Sequence, residues 1–219
     1  MKADRKTDRN PSDYRHIIGL TGGIGTGKTT VSNYLANTYQ LPVLDADVYA
    51  REAVQPGSPV LDEVGERYGS GILLPDGTLD RRRLGDIIFS SASERLWLEQ
   101  RIHPFVRDRL ETGIEKICQS PHPKVSTNQA PTVVLVIPLL FEARMTDLVT
   151  EVWVVYCPRS QQIERLMERD QLMLEQVQAR LNSQMDIEKK VARADVVLDN
   201  SSTPAALFKQ VDQAIACIS

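Results

Sequence analysis

The sequence predicts an α/β fold, a five-stranded parallel sheet flanked by helices on both faces. Short apolar runs recur at Ile17 to Leu20, Val43 to Leu44, Val133 to Ile137, Val152 to Tyr156 and Val196 to Leu198. Their apolarity is continuous rather than alternating, which marks strands buried on both sides. Segments of helical periodicity separate them, as crossover connections between parallel strands require. A glycine-rich string follows the first run directly and leads into the first helical segment.

That string gives the fold its type. Gly22 to Thr29 satisfies the pattern GxxxxGK[ST], and Val31, Tyr34, Leu35 and Tyr39 follow at helical spacing. Strand, tight loop and helix in this order form a phosphate-binding P-loop. Its glycines let successive backbone N–H groups turn inward, and a helix beginning near Lys28 points its positive end at an anion. The expectation is a P-loop NTPase fold in which Gly22, Gly23, Ile24, Gly25, Thr26, Gly27, Lys28, Thr29 and Thr30 bind ATP. Lys28 is expected to reach the β and γ phosphates, and the Thr29 hydroxyl to ligate Mg2+.

The second strand runs into Asp45-Ala46-Asp47, at the carboxyl end of the sheet where open parallel folds bind ligands. A carboxylate there can accept the proton of an attacking hydroxyl. One of the two aspartates is expected to cap the following helix instead.

Between Val60 and Gln119 the pattern is helical, with a turn at Pro75-Asp76-Gly77, a cap at Ser91 and a further helical run through Val106 and Leu110. Residues 120–131 contain three prolines and read as an exposed loop. From Gln161 to Arg193 the chain reads as helical and strongly charged. Arg165 and Arg169 share one helical face there, and Arg180 and Gln184 share another. The expected organisation is therefore a disordered tail at 1–15, a kinase core at 16–59 and 132–219 with a lid at about 160–190, and a helical insertion at 60–131.

Composition narrows the function. The 219 residues are 42% hydrophobic and carry a net charge of -3, enough for one sizeable core but no broad attraction for nucleic acid. Cys118, Cys157 and Cys217 are widely spaced and form no CxxC, which suits a reducing, cytoplasmic setting. Cys118 with His122 supplies too few ligands for a structural zinc. No apolar run is long enough to span a bilayer, and the first 15 residues lack the apolar centre of a signal peptide. No asparagine precedes a lysine, so the Asn-Lys-x-Asp element of a regulatory GTPase is missing. A small-molecule kinase is the reading that remains, with nucleotide and sugar acceptors as alternatives.

The assembled motifs resemble the dephospho-coenzyme A kinase family. They are TGGIGTGKTTV at Thr21 to Val31, DADVYAREAVQPGSP at Asp45 to Pro59, DGTLDRRRL at Asp76 to Leu84 and IHP at Ile102 to Pro104, then PLLFE at Pro138 to Glu142, ERD at Glu168 to Asp170, and ADVVLDNSST at Ala194 to Thr203. The resemblance implies transfer of the ATP γ phosphate to the ribose 3′-hydroxyl of dephospho-coenzyme A, the last step of coenzyme A biosynthesis. It further implies Asp47 as the base, Arg169 reaching from the lid to the phosphates, Arg81 and His103 on the substrate side, and the Asn200 region near the adenine. Val136 stands where many members of the family have an aspartate, so the resemblance supplies no carboxylate for magnesium from that strand.

Overall fold

The computed structural model describes residues 16–119 and 132–218; the expected tail at 1–15 and the loop at 120–131, His122 included, lie outside the described residues. Each apolar run forms a strand: β1 (Ile17–Gly22), β2 (Val43–Asp45), β3 (Val133–Val136), β4 (Glu151–Tyr156) and β5 (Val196–Asp199). All pairings are parallel and the order is β2-β3-β1-β4-β5. β1 is central, with Leu20 level with Val136 on one side and Trp153 on the other. The chain leaves β1 toward β2 at one edge and leaves its neighbour β3 toward β4 on the other side, which opens a crevice beyond the carboxyl ends of β1 and β3.

The inner strands β1, β3 and β4 are largely apolar because both faces are covered. On one face Ile18, Leu20, Val134, Val136, Trp153 and Val155 pack with Val31 and Leu35 of α1 (Lys28–Thr38) and with Leu207 and Val211 of α9 (Pro204–Ile218). The alternate residues Val133, Leu135, Val152 and Val154 face the other way. They meet Val106, Leu110 and Ile114 of α5 (Ala92–Gln119) and Ile187 of α8 (Ile187–Val191). Each such fully buried side chain contributes about 1.5–3 kcal/mol relative to exposure, so the sheet is a rigid platform for the loops at its carboxyl end.

A second, smaller core lies between β2 and β3 in sequence. It joins α3 (Pro59–Tyr68), α4 (Arg81–Ser90) and the first half of α5 through Val60, Leu61, Val64, Ile72, Leu79, Leu84 and Leu98. Here the structure corrects an expectation. The runs before and after His103 are a single 28-residue helix with Pro104 inside it. Proline removes one intrahelical hydrogen bond, but Leu98 is anchored in the small core and Val106, Leu110 and Ile114 on the sheet, which keeps the helix continuous.

The charged stretch near the C-terminus is helical as expected, in three pieces. It folds as α6 (Arg159–Asp170), α7 (Leu174–Asn182) and α8. Gln171 ends α6 in the left-handed region at φ 53°, a helix stop that sequence periodicity does not show. Leu166, Val177 and Leu181 form a small cluster between α6 and α7, with Ile24 of the glycine-rich loop packed against it. Among the described residues no helix is long and apolar enough to cross a membrane.

Candidate active site

The glycine-rich loop turns between the end of β1 and the start of α1. Gly25 (φ 78°) and Gly27 (φ 101°) occupy the left-handed region. At Gly27 space is equally decisive, since an added Cβ would lie 2.2 Å from Asn200 Nδ2. That amide donates to Thr26 O at 2.8 Å. Gln162, only 2% exposed, donates to Ile24 O at 2.9 Å, and Ile24 N–H donates to Gln184 Oε1 at 3.0 Å. Arg165 donates to Asn200 O at 2.8 Å and to Gly25 O at 3.4 Å. Side chains from three distant segments thus fix the loop's shape. The helix behind it has neither a side-chain N-cap nor an acidic residue in its first turn, which leaves its positive end uncompensated for an anion.

Lys28 folds back along the loop, its Nζ donating to Gly22 O at 3.1 Å and Gly23 O at 2.8 Å. Burial, followed by repulsion from Lys190, pushes its pKa down from 10.5 to about 8, against the attraction of Asp47 and Asp45. An ammonium short of solvation by water gains much from a phosphate partner.

The two aspartates divide as expected. Asp45 is the N-cap of α2 (Ala46–Glu52), its Oδ1 accepting from Asp47 N at 2.8 Å. Both aspartates border the cavity, and the capping bond is made by Asp45 and not by the Asp47 carboxylate. Burial, and then repulsion from Asp45, raise its carboxyl above the ordinary value of 3.8, with Lys28 and Arg51 opposing. The shift moves it in the direction that suits a proton acceptor.

Lys28, Thr29, Thr30, Asp47, Arg169 and Asn200 border one cavity of about 1030 Å³ at the carboxyl end of β1. Arg169 stands at its rim, 63% exposed and paired with Asp170 at 2.7 Å. Asp170 also holds Arg180 at 3.3 Å.

Two further cavities adjoin the first. One of about 360 Å³ shares Asp47 and Arg51 with it and is lined by Arg81. Arg81 donates to Arg51 O at 3.4 Å, while Asp80 caps α4 by accepting from Arg83 N at 3.0 Å. The other, of about 290 Å³, shares Ile24, Leu139 and Gln184 with the main cavity and is lined by His103. Burial lowers the His103 pKa, opposed by Glu99. Arg81 and His103 therefore flank the small core's side of the site, His103 in a cavity that also reaches Ile24 of the glycine-rich loop.

Sequence reasoning did not find Gln162, Gln184 as the acceptor for Ile24, or Arg51 at the junction of two cavities. A glutamine or arginine on an amphipathic helix carries no local mark of the loop it will face. Arg165 stood out only as one of a pair of arginines at helical spacing.

Comparison with known proteins follows this geometry. The family described as CoaE, dephospho-CoA kinase, matches residues 16–205. A dephospho-CoA kinase of Trichormus variabilis is 58% identical over 201 residues, covering 92% of this chain and 97% of that protein. Among solved structures, TT1252 from Thermus thermophilus superposes with a TM-score of 0.74 at 32% identity, covering 94% of this chain and 98% of that one. The dephospho-CoA kinase from Campylobacter jejuni superposes at 0.66 and 28% identity, with coverage of 94% and 98%. The kinase expected from the P-loop and the family suggested by the dispersed motifs thus coincide, and this chain belongs to the dephospho-CoA kinase family.

Proposed function

We propose that this kinase moves the γ-phosphoryl group of ATP onto the ribose 3′-hydroxyl of dephospho-coenzyme A, completing coenzyme A. The observation that carries the reading is the single cavity in which Lys28 and the amides at the head of α1 face Asp47. It holds a phosphate-binding end and a proton acceptor side by side.

Phosphoryl transfer needs positioning and charge stabilisation more than covalent chemistry from the protein. In this reading the N–H groups of Gly25, Gly27, Lys28 and Thr29 hold the phosphate oxygens, and Lys28 exchanges its loop carbonyls for the β and γ phosphates. Asp47 orients the ribose hydroxyl and takes its proton as the oxygen attacks phosphorus. Arg169 swings from its Asp170 partner toward the transferred group as the segment around residues 160–190 closes, and closure excludes water. Asn200 lies beside the nucleotide end. Arg81 and His103 contact the acceptor through the two side cavities.

Magnesium fits the donor set. Thr29 offers a hydroxyl oxygen in the cavity, and the described residues hold no group of three or more His, Cys, Asp or Glu side chains able to cage a metal. A magnesium ion typically takes one or two protein oxygens and completes its shell with phosphates and water. When bound it would neutralise charge on the β and γ oxygens.

The direct test is an assay with ATP, magnesium and dephospho-coenzyme A, set beside a panel of nucleosides and sugars. Turnover with dephospho-coenzyme A and a product phosphorylated at the ribose 3′ position is expected. Turnover only with another acceptor would transfer the assignment to that substrate.

A further inference from the structure

Behind the cavity lies an ion pair with a wholly buried lysine and a partly buried glutamate, neither of which borders the cavity. Lys190 is wholly buried, and its Nζ donates to Glu142 Oε1 at 2.9 Å and to Pro138 O at 2.8 Å. The same Glu142 oxygen accepts Met185 N–H at 2.9 Å, while Oε2 is buried without a hydrogen-bond partner. The Pro138 carbonyl also accepts from Thr21 Oγ1 at 3.2 Å. Thr21 itself is completely buried and precedes the glycine-rich loop on β1.

These contacts tie three segments together. Pro138 and Leu139 border the main cavity. Met185 follows Gln184, whose side chain accepts the Ile24 N–H of the loop. Thr21 leads directly into that loop. Lys190 and Glu142 together therefore connect the turn after β3 with the chain after α7 and, through the Pro138 carbonyl, with the root of the phosphate loop.

Stability alone gives no reason for such a pair. A buried ion pair generally yields little or nothing over a well-packed apolar substitute of the same volume, and a carboxylate oxygen left unpartnered makes the balance worse. What an ion pair supplies and a methyl group does not is fixed direction between the segments it joins.

We infer that Lys190 and Glu142 are positioning residues for phosphoryl transfer, holding Gln184 and the Pro138 turn in register with the phosphate loop. The inference rests on the proposed transfer in the main cavity. Neither residue borders the main cavity; both act through the backbone groups they hold, and the Lys190 charge in addition repels Lys28.

The test separates positioning from mere support. Lys190→Met and Glu142→Gln each strand a buried partner, so both single variants are expected to lose thermal stability. The double variant removes both charges and is expected to regain most of the lost stability. Its kcat is expected to remain about tenfold to a hundredfold below that of the unaltered enzyme, because misplacement of about an ångström is costly. A double variant with kcat within about twofold of the parent would overturn the inference, that being within the coupling scatter of distant sites. If the double variant does not fold, Gln184→Met decides instead. It keeps the pair but removes the acceptor for Ile24 N–H, and is expected to lower kcat at least about fivefold with the melting temperature nearly unchanged; an unchanged kcat would refute the mechanism of positioning. All arms use ATP with dephospho-coenzyme A, so failure of the unaltered enzyme to turn over would count against the proposed substrate and not against the pair.

Discussion

Replacing Gly27 by alanine tests the geometry of the phosphate loop at a single atom. The residue sits at φ 101°, ψ 26° as the N-cap of α1, where a side chain costs about 1–2 kcal/mol. The new Cβ would stand 2.2 Å from Asn200 Nδ2, so the amide must leave and its 2.8 Å bond to Thr26 O is lost, at about 0.5–1.5 kcal/mol. Together the penalty is about 1.5–3.5 kcal/mol. If the fold absorbs it, the melting temperature falls by about 3–14 °C for a chain of this size. If the loop absorbs it by distorting, ATP affinity falls by about tenfold to three-hundredfold. Thermal melting and calorimetric titration with ATP, run on the same preparation, read both routes. A variant unchanged in both would refute the assigned loop geometry and with it the place of Asn200.

Asp47→Asn keeps shape but not proton acceptance, and is expected to lower kcat by about 10²–10⁴-fold. ATP affinity, measured by titration, should stay near the parent value; weakened ATP binding with unaltered kcat would assign Asp47 to structure or metal. Arg81→Gln is expected to raise KM for dephospho-coenzyme A by about tenfold or more while kcat changes little, the pattern for a lost charge-assisted contact in ground-state binding. A pH series probes Lys28, lowered from 10.5 to about 8 chiefly by burial. Turnover per ATP encounter should fall as pH rises through about 8, because the charge is lost. The stability contribution of the same group has the opposite sign: the unfolded chain binds the proton more tightly, so stability from Lys28 increases with pH between about 8 and 10.5. An activity profile flat across that range would remove Lys28 charge from the rate.

The strands and the phosphate loop were legible because their signals are local. Val133 to Val136 are apolar on both sides since each side meets a helix layer, and Gly22 to Thr29 carry their function in spacing alone. That one of the two aspartates caps the helix was foreseen, but which one does so depended on α2 starting at Ala46. The continuity of α5 through Pro104 was hidden, because tertiary anchors at Leu98 and Leu110 override a local helix breaker. The break of the C-terminal charged segment was hidden for the converse reason, since a left-handed glutamine at position 171 ends α6 where periodicity continues. The contacts of Gln162 and the pairing of Lys190 with Glu142 were beyond reach, since each joins residues distant in sequence; Glu142 stood in the PLLFE motif, but nothing local names its partner.

The central claim is that the amides at the head of α1 hold a triphosphate whose terminal group faces the acceptor hydroxyl beside Asp47. A crystal structure with a non-hydrolysable ATP analogue and dephospho-coenzyme A tests it most directly. The β and γ phosphates are expected against the N–H groups of Gly25, Gly27, Lys28 and Thr29, with the Asp47 carboxylate at about 2.6–3.2 Å from the ribose 3′-oxygen. Phosphates seated elsewhere, or a ribose hydroxyl turned away from Asp47 toward another base, would contradict it.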